Sequence, residues 1–139
     1  MHTGWKIAAL LGLAAFALGS LVAGAGYLQA PLPGGLPLGN ALAALGFSAI
    51  AGTGVTIARR GVVRRMACVA LLAALAWLPV SIAMAGNLTL VFQGARGDAW
   101  IAWSVGVAGV SLAAPVLALS QRLFLGLLPR RMRAAPRGQ

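Results

Sequence analysis

The chain has 139 residues, of which 60% are apolar and only 9% charged, with a formal net charge of +10 and a mean hydropathy of +0.92. A soluble domain carries roughly a quarter charged residues, so a water-facing surface cannot be assembled from this composition. The positive charge sits at the ends of apolar segments and in a tail rather than on one helical face, which argues against nucleic acid as a partner and for membrane orientation and contact with anionic lipid headgroups.

Residues 7–58 contain no Asp, Glu, Lys or Arg, and neither do residues 66–95. Uncharged runs of that length belong in a bilayer. The first, starting after Lys6, predicts a helix over about residues 6–28, too long for the core of a cleaved signal peptide and therefore retained. Trp5 and Tyr27 fall near its two ends, at headgroup level. Residues 29–40, QAPLPGGLPLGN, hold Pro31, Pro33 and Pro37 and read as a short, stiff external hairpin.

The second helix is expected over about residues 38–58. An arginine-rich loop, residues 59–65, follows with Arg59, Arg60, Arg64 and Arg65. The third helix is expected over about 66–86, stopped by Gly86-Asn87, and the segment 88–93 is too short to span. The fourth is expected over about 99–120, with Asp98 as its N-cap. Residues 123–128 are predicted to bend away and lie along the inner interface as an amphipathic piece. Pro129 then opens a basic tail, 129–139, with Arg130, Arg131, Arg133 and Arg137.

The fold class that follows is all-α: four transmembrane helices in an up-down bundle over residues 1–128. With both termini cytoplasmic, ten of the eleven basic residues lie inside and only Arg96 lies outside, as the positive-inside rule requires. Ten arginines against one lysine, with abundant Ala, Gly and Leu, point to a GC-rich bacterial source, and so to the bacterial inner membrane.

Helices in lipid associate through small residues that let backbones approach. Ala15, Gly19 and Ala23 form such a stripe on the first helix and Ala44, Ser48 and Gly52 on the second. On the fourth, Ala102 pairs with Gly106 and Gly109 with Ala113. Trp77 falls near the middle of the third helix, where its indole N–H needs a partner on another helix, in this chain or a neighbouring one. Pro79 and Pro115 each free one carbonyl and predict bends.

Reactive groups are sparse. Asp98 is the sole acid, His2 the sole histidine and Cys68 the sole cysteine, so no general acid–base pair, no cysteine-based zinc site and no bis-histidine haem site can be drawn from this chain. The span residues Ser20, Ser48, Thr53, Thr56, Cys68, Ser81, Ser104 and Ser111 are expected to bond back to their own helices. No catalytic, cofactor-binding or metal residue is expected. The reading is a non-enzymatic multi-pass protein, an accessory or scaffolding subunit of a larger membrane complex. The alternative is a small transporter or channel acting as a homo-oligomer. Its expected contacts are anionic lipids and other membrane subunits or further copies of itself, made through Trp77, Arg122, Arg130, Arg131 and Arg133.

Overall fold

The computed structural model describes residues 2–59 and 61–127. It is all-helical: α1 (His2–Val22), α2 (Leu38–Ile57), α3 (Val62–Ala85) and α4 (Ala95–Leu127), with one 3₁₀ turn at Gly26–Gln29 between the first two. All four helices are long and apolar enough to cross a membrane. At 1.5 Å per residue, α1 and α2 extend about 30 Å and α3 about 36 Å.

Direction alternates along the chain. Gly39, Gly46 and Gly52 of α2 lie against Leu21, Ala17 with Leu18, and Leu10 of α1 respectively, so these two helices are antiparallel. Along α4, by contrast, Gly54 faces Ala114 and Ile57 meets Arg122, so α2 and α4 are parallel. The arrangement is not a square bundle. α2, α3 and α4 pack mutually, and α1 sits outside that triad, mainly on α2.

The predicted stripe Ala15, Gly19 and Ala23 does not make the α1–α2 seam. All three are exposed, and a Cβ on Gly19 would meet nothing within 4 Å. The buried positions of α1 are Ala14, Ala17 and Ser20. The physical reason is that α2 supplies the glycines, as hollows for leucines of α1. Glycine facing glycine would leave a void. Gly52 does pack, with Leu10 3.7 Å from where its Cβ would be, and Ser48 is half-buried.

The tightest crossing lies elsewhere. A Cβ on Gly54 would stand 2.8 Å from the carbonyl carbon and Cβ of Ala114 and 2.9 Å from the nitrogen of Pro115. Backbone therefore meets backbone, and only glycine fits. Gly106 and Gly109, the predicted seam residues of α4, have nothing within 4 Å and are exposed. Around the Gly54 crossing the core is built of Ala51, Ala58, Ala67, Ala70, Ala74, Val107, Ala114 and Ala118, with Trp77.

Helix ends correct several sequence-based boundaries. α1 stops at Val22, short of residue 28. Gly24 takes φ 62, its N–H reaches the carbonyl of Leu21 and that of Ala25 reaches Ser20, the 5→2 and 6→1 bonds of a Schellman cap. Tyr27 then folds back, donating to Ser20 Oγ at 2.6 Å. In the hairpin, Pro31 and Pro37 form an antiparallel bridge. Its tip has Pro33 followed by Gly34 at φ 92, closed by Gly35 N–H on Leu32 O, the pattern of a type II turn.

α3 begins at Val62 after Gly61 at φ 113. Arg64 and Arg65 thus stand in its first turn instead of in a seven-residue loop. α4 begins at Ala95, so Asp98 sits in the first turn rather than at the N-cap, still at the positive end of the helix dipole. At its other end α4 continues as helix to Leu127, about 50 Å along its path, with no break after Ser120. Its continuation holds the helix formers Gln121, Arg122, Leu123 and Leu125, and Gln121 and Arg122 tether it to the end of α2.

Gly54→Ala should lower thermal stability in detergent by about 1–3 kcal/mol, since the new methyl group overpacks a backbone contact. Gly106→Ala, with open space around it, should stay within about 0.5 kcal/mol of wild type. Paired melting curves check both.

Candidate functional site

Trp77 is 3% exposed and lies in the half of α3 remote from the arginines. Its indole Nε1–H donates to Ser104 Oγ of α4 at 2.9 Å. Four residues further along α3, Ser81 Oγ accepts from Trp100 Nε1 at 3.1 Å. The two bonds are reciprocal: each helix contributes a tryptophan and, one turn on, a serine, and the antiparallel packing of α3 on α4 matches them in opposite order. Ser81 and Ser104 are therefore acceptors between helices, not self-satisfied hydroxyls. The self-satisfied pattern holds for Ser20 on Phe16 O, Thr53 on Ala49 O and Thr56 on Gly52 O.

Aromatic contacts extend this clamp. Phe47 of α2 meets Trp77 edge-on with centroids 5.5 Å apart, Trp100 lies 6.5 Å from Trp77, and Phe92 stacks on Trp100 at 4.8 Å. Phe92 belongs to the loop between α3 and α4, which the side chain of Asn87 organises. Asn87 donates to the carbonyls of Ala85 and Val91 and accepts from Val91 N–H and Thr89 Oγ1. Leu90 takes φ 56 there, a left-handed conformation that costs a non-glycine residue about 1–2 kcal/mol. Among the described residues, the buried atoms Trp103 Nε1 and Ser111 Oγ have no hydrogen-bond partner.

The opposite end is cationic. Arg122 is exposed, and its Nε–H donates to Ile57 O at 2.7 Å, placing a guanidinium on the C-terminus of α2, where the helix dipole is negative. Gln121 Oε1 accepts from the Arg59 N–H at 3.3 Å. Arg59, Arg64 and Arg65 are exposed around the same end. Of the residues expected to touch partners or lipid, Trp77 and Arg122 are thus engaged within the chain. Arg130, Arg131 and Arg133, like Arg60, lie outside the described residues.

Sequence reasoning missed Gly54 and the Trp–Ser reciprocity. Gly54 carries no signal that sets it apart from Gly46 or Gly52. The reciprocity does: Trp77-x-x-x-Ser81 and Trp100-x-x-x-Ser104 repeat one spacing on two consecutive helices, and indole donors in lipid need acceptors. Comparison with protein families, with curated proteins and with solved structures gives no match.

A double-mutant cycle with Trp77→Phe and Ser104→Ala should return a coupling of about 0.6–1.7 kcal/mol, the range of interhelical hydrogen bonds in bilayers. Unfolding in mixed micelles measures it.

Proposed function

We propose that this protein is a non-enzymatic, multi-pass subunit of the bacterial inner membrane, with both termini cytoplasmic, that scaffolds a larger membrane complex through the outer faces of α1 and α4. The observation that supports the reading is the outward placement of small residues. Ala15, Gly19 and Ala23 on α1, and Ala102, Gly106 and Gly109 on α4, all face away from the bundle, and Gly19, Gly106 and Gly109 have open space where a side chain would stand. In a bilayer such faces give a neighbouring helix the close backbone approach on which association depends. α1 adds a second argument: packed mainly on α2, it leaves most of its circumference free for another subunit.

The homo-oligomeric channel is less well supported. A pore between copies needs outward-facing polar groups, whereas Ser20, Thr53, Ser81 and Ser111 are buried within the chain. The orientation rests on Arg59, Arg64, Arg65 and Arg122 standing together at one end of the bundle, the end that the positive-inside rule assigns to the cytoplasm.

Gly19→Leu and Gly106→Leu should each leave the melting temperature of the purified chain unchanged while removing the subunits that co-purify with wild type in mild detergent. A wild-type chain that purifies alone would defeat the scaffold reading. Cysteine labelling in a Cys68→Ser background should mark a cysteine at position 61 only from the cytoplasmic side and one at position 88 only from the other.

A further inference from the structure

α3 and α4 do not close on each other along their whole length. Near the arginine end a lateral groove of about 320 Å³ opens between them, within the size range of small-ligand sites. Its floor is alanine: Ala67 and Ala70 of α3 and Ala114 of α4, all buried. Its walls include Met66, Val110 and Leu117, each of them half exposed on the outer surface of the bundle. The groove exists because α4 is drawn against α2 at Gly54, which packs on Ala114 from behind, while small side chains on the α3 side do not fill the space that remains.

One wall residue is unlike the rest. Arg65 lines the cationic end of this groove and also a second depression, bounded by Gly61, Arg64, Arg65 and Cys68, that opens beside it. Among the described residues no acid holds either guanidinium: Asp98, the one acidic side chain of the sequence, is in the first turn of α4, at the other end of the bundle. An apolar slot roughly two helical turns long thus leads to a pair of arginines in the first turn of α3. That turn is also the positive end of a helix dipole, so anion affinity is concentrated there. A detergent-like or neutral occupant would use the slot and ignore the charge; a free anion would use the charge and ignore the slot.

We propose that the α3–α4 groove is a binding site for one anionic glycerophospholipid, with an acyl chain against Ala67, Ala70 and Ala114 and its phosphate between Arg64 and Arg65. The site lies between membrane helices on the basic side, where such headgroups are concentrated. The inference rests on membrane insertion, and is independent of whether the protein scaffolds other subunits.

The test uses the full chain in nanodiscs and detergent. Titration of delipidated protein with phosphatidylglycerol should raise its melting temperature with saturation, and phosphatidylcholine should need at least tenfold more lipid for the same shift. Arg64→Gln with Arg65→Gln should abolish that preference. Ala113→Phe, at an exposed position on the rim of the groove, should weaken binding of both lipids about tenfold while leaving the delipidated melting temperature unchanged. If glycerol phosphate alone reproduces the shift, the site takes an anion and not a lipid, and the proposal fails. It fails equally if the double arginine variant keeps its preference. A photoactivatable phosphatidylglycerol, used with wild type so that no variant need fold, should label peptides containing Met66 and Leu117; labelling confined to other helices overturns the assignment. Loss of membrane insertion would show separately, as protein extracted from vesicles by carbonate.

Discussion

Backbone contact between α2 and α4 at Gly54 is the constraint around which this bundle is arranged. In hydrocarbon there is no hydrophobic gain from bringing helices together, so dispersion between closely approaching backbones must do it. A glycine opposite Ala114 and Pro115 allows the approach. It falls at Pro115, where α4 lacks an N–H and one carbonyl of its ladder is freed. From this crossing follow the alanine-rich core on the α3 side, the room for Trp77 further along, and the alignment that brings Arg122 onto the last carbonyl of α2.

The two ends of the bundle are stabilised by different chemistry. Away from the arginines, the reciprocal Trp–Ser pairs and the stacked Phe92 bind α3 to α4 with directional contacts that resist sliding, because a shift of one residue in register would break both hydrogen bonds at once. At the arginine end, charge does the work. Arg122 satisfies a terminal carbonyl of α2, while Arg64 and Arg65 occupy a helix N-terminus that would by itself favour anions. Placing cations there costs a few tenths of a kcal/mol to about 1 kcal/mol in dipole terms. In the proposed membrane orientation this cost has an offset, since basic groups at that end would orient the chain and face acidic headgroups.

Small residues in this protein have two destinations, and the difference bears on function. Those on α2 receive leucines from α1 or the backbone of α4 and hold the chain together. The stripe Ala15, Gly19 and Ala23 on α1, and Ala102, Gly106 and Gly109 on α4, are turned outward, while Ala114 and Ala118 of α4 enter the core. A helix that keeps such a face uncovered in its own fold is equipped to meet another helix, and this is why the scaffold reading is attached to α1 and α4 and not to the core. The groove proposed to hold lipid adds a third surface, formed where α3 and α4 leave space between them.

The apolar stretches were legible from charge, because a bilayer punishes each buried charge individually and no tertiary contact is needed to see it; the division of residues 7–58 into two helices came from the prolines between them. The proline hairpin and the stop at Gly86 were legible for a related reason: fixed φ in proline and the left-handed φ of glycine are local properties. The cap at Gly24 was equally local, but the apolar run continuing to Leu28 concealed it, since hydropathy does not distinguish helix from a folded-back 3₁₀ turn. What only the tertiary structure decided was pairing. Ala15, Gly19 and Ala23 and the buried set Ala14, Ala17 and Ser20 occupy the same helix with nearly the same composition, and which set faces α2 depends on where α2 places its glycines. In the same way Gly54 differs from Gly52 only by what lies opposite. Hydrophobicity determines that a segment enters the membrane; it carries no information about which side of a uniformly apolar helix meets its neighbour, and that is settled by shape.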